Sequence, residues 1–169
     1  YSAHFTIYET DDQRRLMKNM LKELNVSEKS TPPKAVLNEI SRAKDSLITP
    51  EEYEKTAGDD FRQKIIARAY KLYQQRLRDA DAMDFDDLIN KTVELFRACP
   101  DVLEYYQDRF KYLMVDEYQD TNHAQYTFVR LRAEKHQNLC VVGDDAQSIY
   151  KFRGATIDII LSCENTCQT

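Results

Sequence analysis

The chain has 169 residues, 42% of them hydrophobic, and a net charge of −5. That suits roughly one to one and a half domains with a packed core and excludes a module that holds nucleic acid by bulk electrostatics alone. No stretch has the length of a membrane span and no signal peptide opens the chain, so a cytoplasmic location is expected; Cys99, Cys140, Cys163 and Cys167 form no CxxC and His4, His123 and His136 are scattered, which reads as reduced thiols and no metal centre of their own.

The first two-thirds reads as helical. Thr10-Asp11-Asp12-Gln13 has the spacing of a capping box, in which a hydroxyl and an amide satisfy free N–H groups at a helix start. Leu16, Met17, Met20, Leu21 and Leu24 then mark one apolar face. Thr31-Pro32-Pro33 opens a second helix with Val36, Leu37 and Ile40 on its apolar side, and Thr49-Pro50-Glu51-Glu52 is a further capping box with proline at the first helical position.

A long helix is expected from about Asp59 to Ala80. Ile65, Ile66, Ala69, Leu72, Tyr73 and Leu77 share one side of it; Lys64, Arg68, Lys71 and Arg78 share the other, within a stretch from Phe61 to Arg78 that has six basic residues and no acid. A solvated face is the ordinary reading of such a stripe, and contact with DNA phosphates is the sharper one held beside it. Asp84-Phe85-Asp86-Asp87 starts the next helix, its acids favoured by the helix dipole, with Phe85, Leu88, Ile89, Val93 and Phe96 as a core face. Pro100 opens a short helix through Phe110, and another is expected from about Asn122 to Ala133.

Two apolar runs carry the chemistry. Tyr112-Leu113-Met114-Val115 ends in Asp116-Glu117-Tyr118-Gln119-Asp120, and Leu139-Cys140-Val141-Val142 ends in Gly143-Asp144-Asp145-Ala146-Gln147. Short runs of this kind read as strands buried on both faces. Carboxylates just past strand ends sit where open α/β sheets bind ligands. One carboxylate of such a pair can hold Mg²⁺ while the next orients or activates a water. Gln147 carries an amide that both donates and accepts. Tyr150, Phe152 and Arg153 form an aromatic-x-aromatic-basic run suited to stacking on bases without reading sequence.

These residues also carry a family resemblance. Asp116 through Asn122 resembles motif II, the Walker B element, of superfamily 1 DNA helicases of the UvrD/Rep/PcrA type. Val141 through Ala155 resembles motif III, in the same order and at a similar separation. The resemblance implies a mainly helical α/β chain: a partial RecA-like (P-loop NTPase) domain with a parallel sheet, plus an α-helical insertion subdomain. Residues 1–83 would be the insertion and 84–169 the C-terminal half of the first motor domain. It implies ATP and Mg²⁺ as cofactors, with Asp116 holding the metal through water and Glu117 polarising the attacking water. Gln147 would sense the terminal phosphate or that water, with Asp120 and Asp144 coupling to nucleotide. Tyr150, Phe152 and Arg153 would meet DNA, with Lys64, Arg68, Lys71 and Arg78 as candidate phosphate contacts. Ala146 stands where many relatives have an acid, and Phe152 where many have tryptophan.

The three glycines, Gly58, Gly143 and Gly154, and the lack of any Gly-Lys pair leave no phosphate-cradling loop in these 169 residues. In the family that loop lies upstream. With a tyrosine in first place, the chain is therefore expected to be an internal piece, inactive alone, of an ATP-dependent helicase acting on single-stranded and duplex DNA. A subunit of a recombination helicase–nuclease and a non-catalytic helical interaction module are the alternatives. The strand around Leu139 would then have an open edge inviting self-association.

Overall fold

The computed structural model describes residues 1–143. The expectations placed on Asp144, Gln147, Tyr150, Phe152 and Arg153 lie outside the described residues. The chain forms two compact units, the first Tyr1–Leu88 and the second beginning at Ile89.

The first unit starts with β1 (Thr6–Ile7), then α1 (Thr10–Glu23), α2 (Pro33–Asp45), α3 (Pro50–Thr56), α4 (Phe61–Asp79) and β2 (Ala82–Met83). Its core is built by Met17, Met20 and Leu21 of α1, Val36, Ile40 and Ala43 of α2, and Ala69, Tyr70, Tyr73 and Leu77 of α4. These residues recur at helical spacing, so each helix presents one stripe to its neighbours. Thr49 caps α3 as a full capping box, its Oγ1 accepting from Glu52 N at 3.2 Å and Glu52 Oε2 accepting from Thr49 N at 2.8 Å. The Asp60 side chain caps α4 by accepting from Arg62 and Gln63 backbone N–H groups.

Two expectations fail in this unit. Thr10 does not cap α1: the cap position falls on Glu9, which makes no side-chain cap bond, and Gln13 Nε2 instead donates to Tyr8 O at 2.9 Å. The cause is tertiary. β1 pairs in parallel with β2, and Tyr8 N donates to Met83 O at 2.8 Å. The chain is thus held extended up to Tyr8, and the helix starts immediately after it. The β1–β2 pair itself has no counterpart in the periodicity. Phe85 is the second failure, because it is 55% exposed instead of part of the core face. Its neighbours Asp84 and Asp87 take the buried side, where they meet Lys44 of α2.

α5 (Phe85–Ala98) leads into the second unit, followed by α6 (Pro100–Arg109), β3 (Leu113–Val115), a 3₁₀ turn (Tyr118–Asp120), α7 (His123–Ala133) and β4 (Leu139–Val141). Phe96 stacks on Phe128 with ring centroids 6.0 Å apart and tilts against Tyr106 at the same distance. Gln107 Nε2 donates to Leu131 O at 2.7 Å, tying α6 to α7. β3 and β4 pair in parallel, Leu113 with Leu139, Met114 with Cys140 and Val115 with Val141. The expectation of burial on both faces is corrected here. Leu113, Val115, Leu139 and Val141 are half-buried, whereas Met114 and Cys140 are exposed. Alternation along a strand gives a two-stranded sheet one covered face and one open one.

Candidate active site

Parallel pairing brings both strand ends to the same edge, so the acidic segment after β3 and the segment after β4 leave side by side. The backbone joins them directly: Val142 N donates to Val115 O at 2.8 Å, and Tyr118 N donates to Val142 O at 3.0 Å. The sheet ladder thus continues past β3 into the turn that carries the acids.

Glu117 sits at that turn with φ 51° and ψ 41°. A non-glycine residue in the left-handed region costs on the order of 1–3 kcal/mol and persists where surrounding contacts enforce it, often at functional sites. Here the contacts are the Tyr118–Val142 bond on one side and Asp120 N donating to Glu117 O at 2.9 Å on the other. The turn reverses the chain at once, leaving Asp116, Glu117 and Asp120 exposed while Tyr118 and Gln119 go inside. Asp116 Oδ1 accepts from Glu117 N at 2.9 Å, which fixes the first carboxylate against the backbone. Glu117 Oε2 accepts from Gln119 Nε2 at 2.5 Å.

After the turn, Asn122 starts α7 with a reciprocal cap. Its Oδ1 accepts from Gln125 N at 2.8 Å, and Gln125 Oε1 accepts from Asn122 N at 3.0 Å. The acidic segment is therefore bounded by a strand on one side and a capped helix on the other. Its donors are exposed carboxylate oxygens, the hard ligands that suit Mg²⁺ held through water and substrate phosphates. Among the described residues no three His, Cys, Asp or Glu side chains form a metal-holding group of their own.

The sequence-predicted residues divide by place. Asp116, Glu117 and Asp120 come together at this edge. Lys64, Arg68, Lys71 and Arg78 are all exposed on α4 of the first unit. Acids from outside the helix answer two of them: Asp59 pairs with Lys64 at 3.0 Å and Glu54 with Lys71 at 3.8 Å. Gln119 was not anticipated as part of the site. The clue available was an amide two residues after the candidate base, at a strand-to-helix junction.

Comparison with known proteins decides the family, since the model of the UvrD/REP helicase N-terminal domain matches residues 1–168. The chain belongs to that family. As a UvrD/REP helicase N-terminal domain, it is similar to the ATP-dependent DNA helicase PcrA of Staphylococcus epidermidis, with 50% identity over 161 residues, 95% of this chain and 22% of that protein. PcrA of Bacillus subtilis is 50% identical over 163 residues, covering 96% and 22%. PcrA of Staphylococcus aureus is 49% identical over 161 residues, covering 95% and 22%. The chain thus spans about a fifth of the length of the curated relatives it matches. Among the described residues no helix is long and apolar enough to cross a membrane.

Proposed function

We propose that this chain is part of the first motor domain of an ATP-dependent DNA helicase that couples hydrolysis to translocation on single-stranded DNA and to duplex unwinding, in the cytoplasm. The observation that carries the proposal is the exposed Asp116–Glu117 pair at the end of β3, locked beside the end of β4 by two backbone hydrogen bonds. In this reading, residues 116–122 are motif II and residues 141–155 motif III. Residues 84–169 supply the second half of a RecA-like domain, and residues 1–83 are its helical insertion.

Asp116 would hold Mg²⁺ through water, and the metal when bound neutralises charge on the phosphates. Glu117 orients the attacking water and accepts its proton as the terminal phosphoryl group departs; Asp120, Asp144 and Gln147 couple that event to nucleotide state. Tyr150 and Phe152 stack on bases and Arg153 meets a phosphate. Lys64, Arg68, Lys71 and Arg78 offer further phosphate contacts, and their exposure supports that role.

The test is Glu117→Gln in the full-length protein that carries this chain. The substitution keeps size and removes the base, so hydrolysis stimulated by single-stranded DNA falls by roughly 10²-fold or more while nucleotide binding persists. Hydrolysis at the unmodified rate would remove Glu117 from the mechanism.

A further inference from the structure

We propose that Gln119 is a positioning residue that holds the Glu117 carboxylate and ties its orientation to the backbone at Gly143. It rests on the reading of Glu117 as the base and adds a device through which the segment after β4 acts on that base.

Gln119 is 3% exposed, although it belongs to a segment whose acidic residues are exposed. Its amide is used at both ends. Nε2 donates to Glu117 Oε2 at 2.5 Å. Oε1 lies against Gly143, so closely that a Cβ at that glycine would stand 2.8 Å from Oε1 and 3.4 Å from both Gln119 N and Tyr118 Cβ. The first contact is far inside normal van der Waals separation, so a side chain at position 143 displaces the amide. Glycine is needed here for close approach, which is one of its uses next to a functional site.

A hydrogen bond of this kind changes what Glu117 can do. The glutamate is exposed and has several rotatable bonds, so an unheld carboxylate spreads over many rotamers. A buried amide with its own position fixed by packing selects one orientation, and donors to a charged acceptor form the stronger class of hydrogen bond. The left-handed backbone at Glu117 folds the chain back so that an amide only two residues later reaches the carboxylate. Because the other end of the amide abuts Gly143, a shift of the segment after β4 relative to β3 moves the amide, and the carboxylate follows. One side chain thereby links the turn after β3 to Gly143 just past the end of β4.

The experiment measures steady-state ATP hydrolysis by the full-length protein with single-stranded DNA present. Gln119→Ala lowers kcat by roughly 10- to 100-fold, the scale for losing a hydrogen bond to a charged group, with KM for ATP unchanged. Gln119→Met, which keeps the length and packing of the side chain but cannot donate, gives the same loss and stands in if the alanine variant does not fold. In the Glu117→Gln background neither substitution slows the enzyme further, because both act through the same carboxylate. Gly143→Ala lowers kcat on its own but costs nothing more in Gln119→Ala, where the truncated side chain makes room for the added methyl. Normal kcat in Gln119→Met beside an impaired Glu117→Gln overturns the positioning role and leaves the base intact. Losses that multiply with Glu117→Gln overturn it as well, by showing that Gln119 acts elsewhere. An unimpaired Glu117→Gln is a different outcome, which overturns the base assignment itself.

Discussion

Lys44 shows how much a single residue decides in the helical unit. It is 1% exposed, with Nζ 2.6 Å from Asp84 Oδ2 and 2.9 Å from Asp87 Oδ1. Tyr73 OH donates to Asp84 Oδ2 at 3.1 Å and Gln74 Nε2 to Asp87 Oδ1 at 2.9 Å. Burial, and then the charge of Asp84, pushes the Tyr73 hydroxyl far above its ordinary range, so it stays a donor. Removing one partner of a buried ion pair costs about 3–5 kcal/mol because the remaining charges lose their compensation. Lys44→Met therefore destabilises the fold by that order, read as a lower urea midpoint of unfolding, and an unchanged midpoint would show the site to be wetter than its burial implies. One cation faces two carboxylates, and burial raises the Asp87 carboxyl above its ordinary value, against the pull of Lys44 and with the push of Asp84. A folded-state value above the unfolded one gives stability that is present below the unfolded value and lost as pH rises through the folded one. The contribution of Asp87 should thus fall as pH climbs out of the ordinary carboxylate range, so that the wild-type urea midpoint declines relative to that of Asp87→Asn. A difference between wild type and Asp87→Asn that stays constant with pH would mean that Asp87 titrates as it does in the unfolded chain.

At the scale of elements, helix starts separate local signals from tertiary ones. Asn122 holds α7 by a reciprocal cap that also ends the acidic turn. Asn122→Ala should cost about 1 kcal/mol of stability, within the 0.5–2 kcal/mol that such caps contribute. Thr10→Ala is the internal control. Thr10 lies inside α1 and makes no cap bond, so its loss should leave the denaturation midpoint within experimental error. Equal effects from the two substitutions would contradict the cap assignment. The sequence matched the capping pattern at Thr49 and at Thr10 alike, and only the first became a cap. At Thr49 the backbone is extended at the cap position and sets the hydroxyl over Glu52 N. At Thr10 the β1–β2 pairing has already set the entry of the chain. Local motifs are legible where nothing distant competes with them. The same rule covers Lys44, which follows Val36 and Ile40 at four-residue intervals and so falls on the buried face of α2. That spacing was in the sequence, but a lysine on an apolar face has no meaning until its carboxylate partners, far along the chain, are known.

For the molecule as a whole, the β3–β4 sheet is the exposed liability. Met114 is 81% exposed and pairs in register with exposed Cys140, and Val142 beside them is also exposed. Within the described residues β4 has one strand neighbour, β3. An apolar, unpaired strand edge is a template for another strand. We expect the 169-residue polypeptide to self-associate with rising concentration, and Cys140→Lys, at an exposed position of β4, to lower the apparent mass seen by light scattering, because a charge on the edge strand blocks strand addition. A wild-type chain that stays monomeric across the concentration series would rule this out.

The sequence by itself determined what depends on neighbours a few positions apart: α4 and its two faces, the cap at Thr49, the helix that begins near Asn122, and the two apolar runs that end in acid and glycine. It also carried the family, because those two runs and their tails resemble motifs in a fixed order. Tertiary structure alone decided which groups from distant positions meet. It set the parallel register of β3 on β4, put Asp84 and Asp87 on Lys44 in place of solvent, and turned Phe85 outward. It left one face of the strands open and pressed Gln119 between Glu117 and Gly143. The physical reason is common to all of these. Helical periodicity and caps are made by contacts within about four residues, which a linear pattern records. Burial, ion pairing and strand register are set by residues brought together from far along the chain, and their energies depend on a geometry that no local pattern contains.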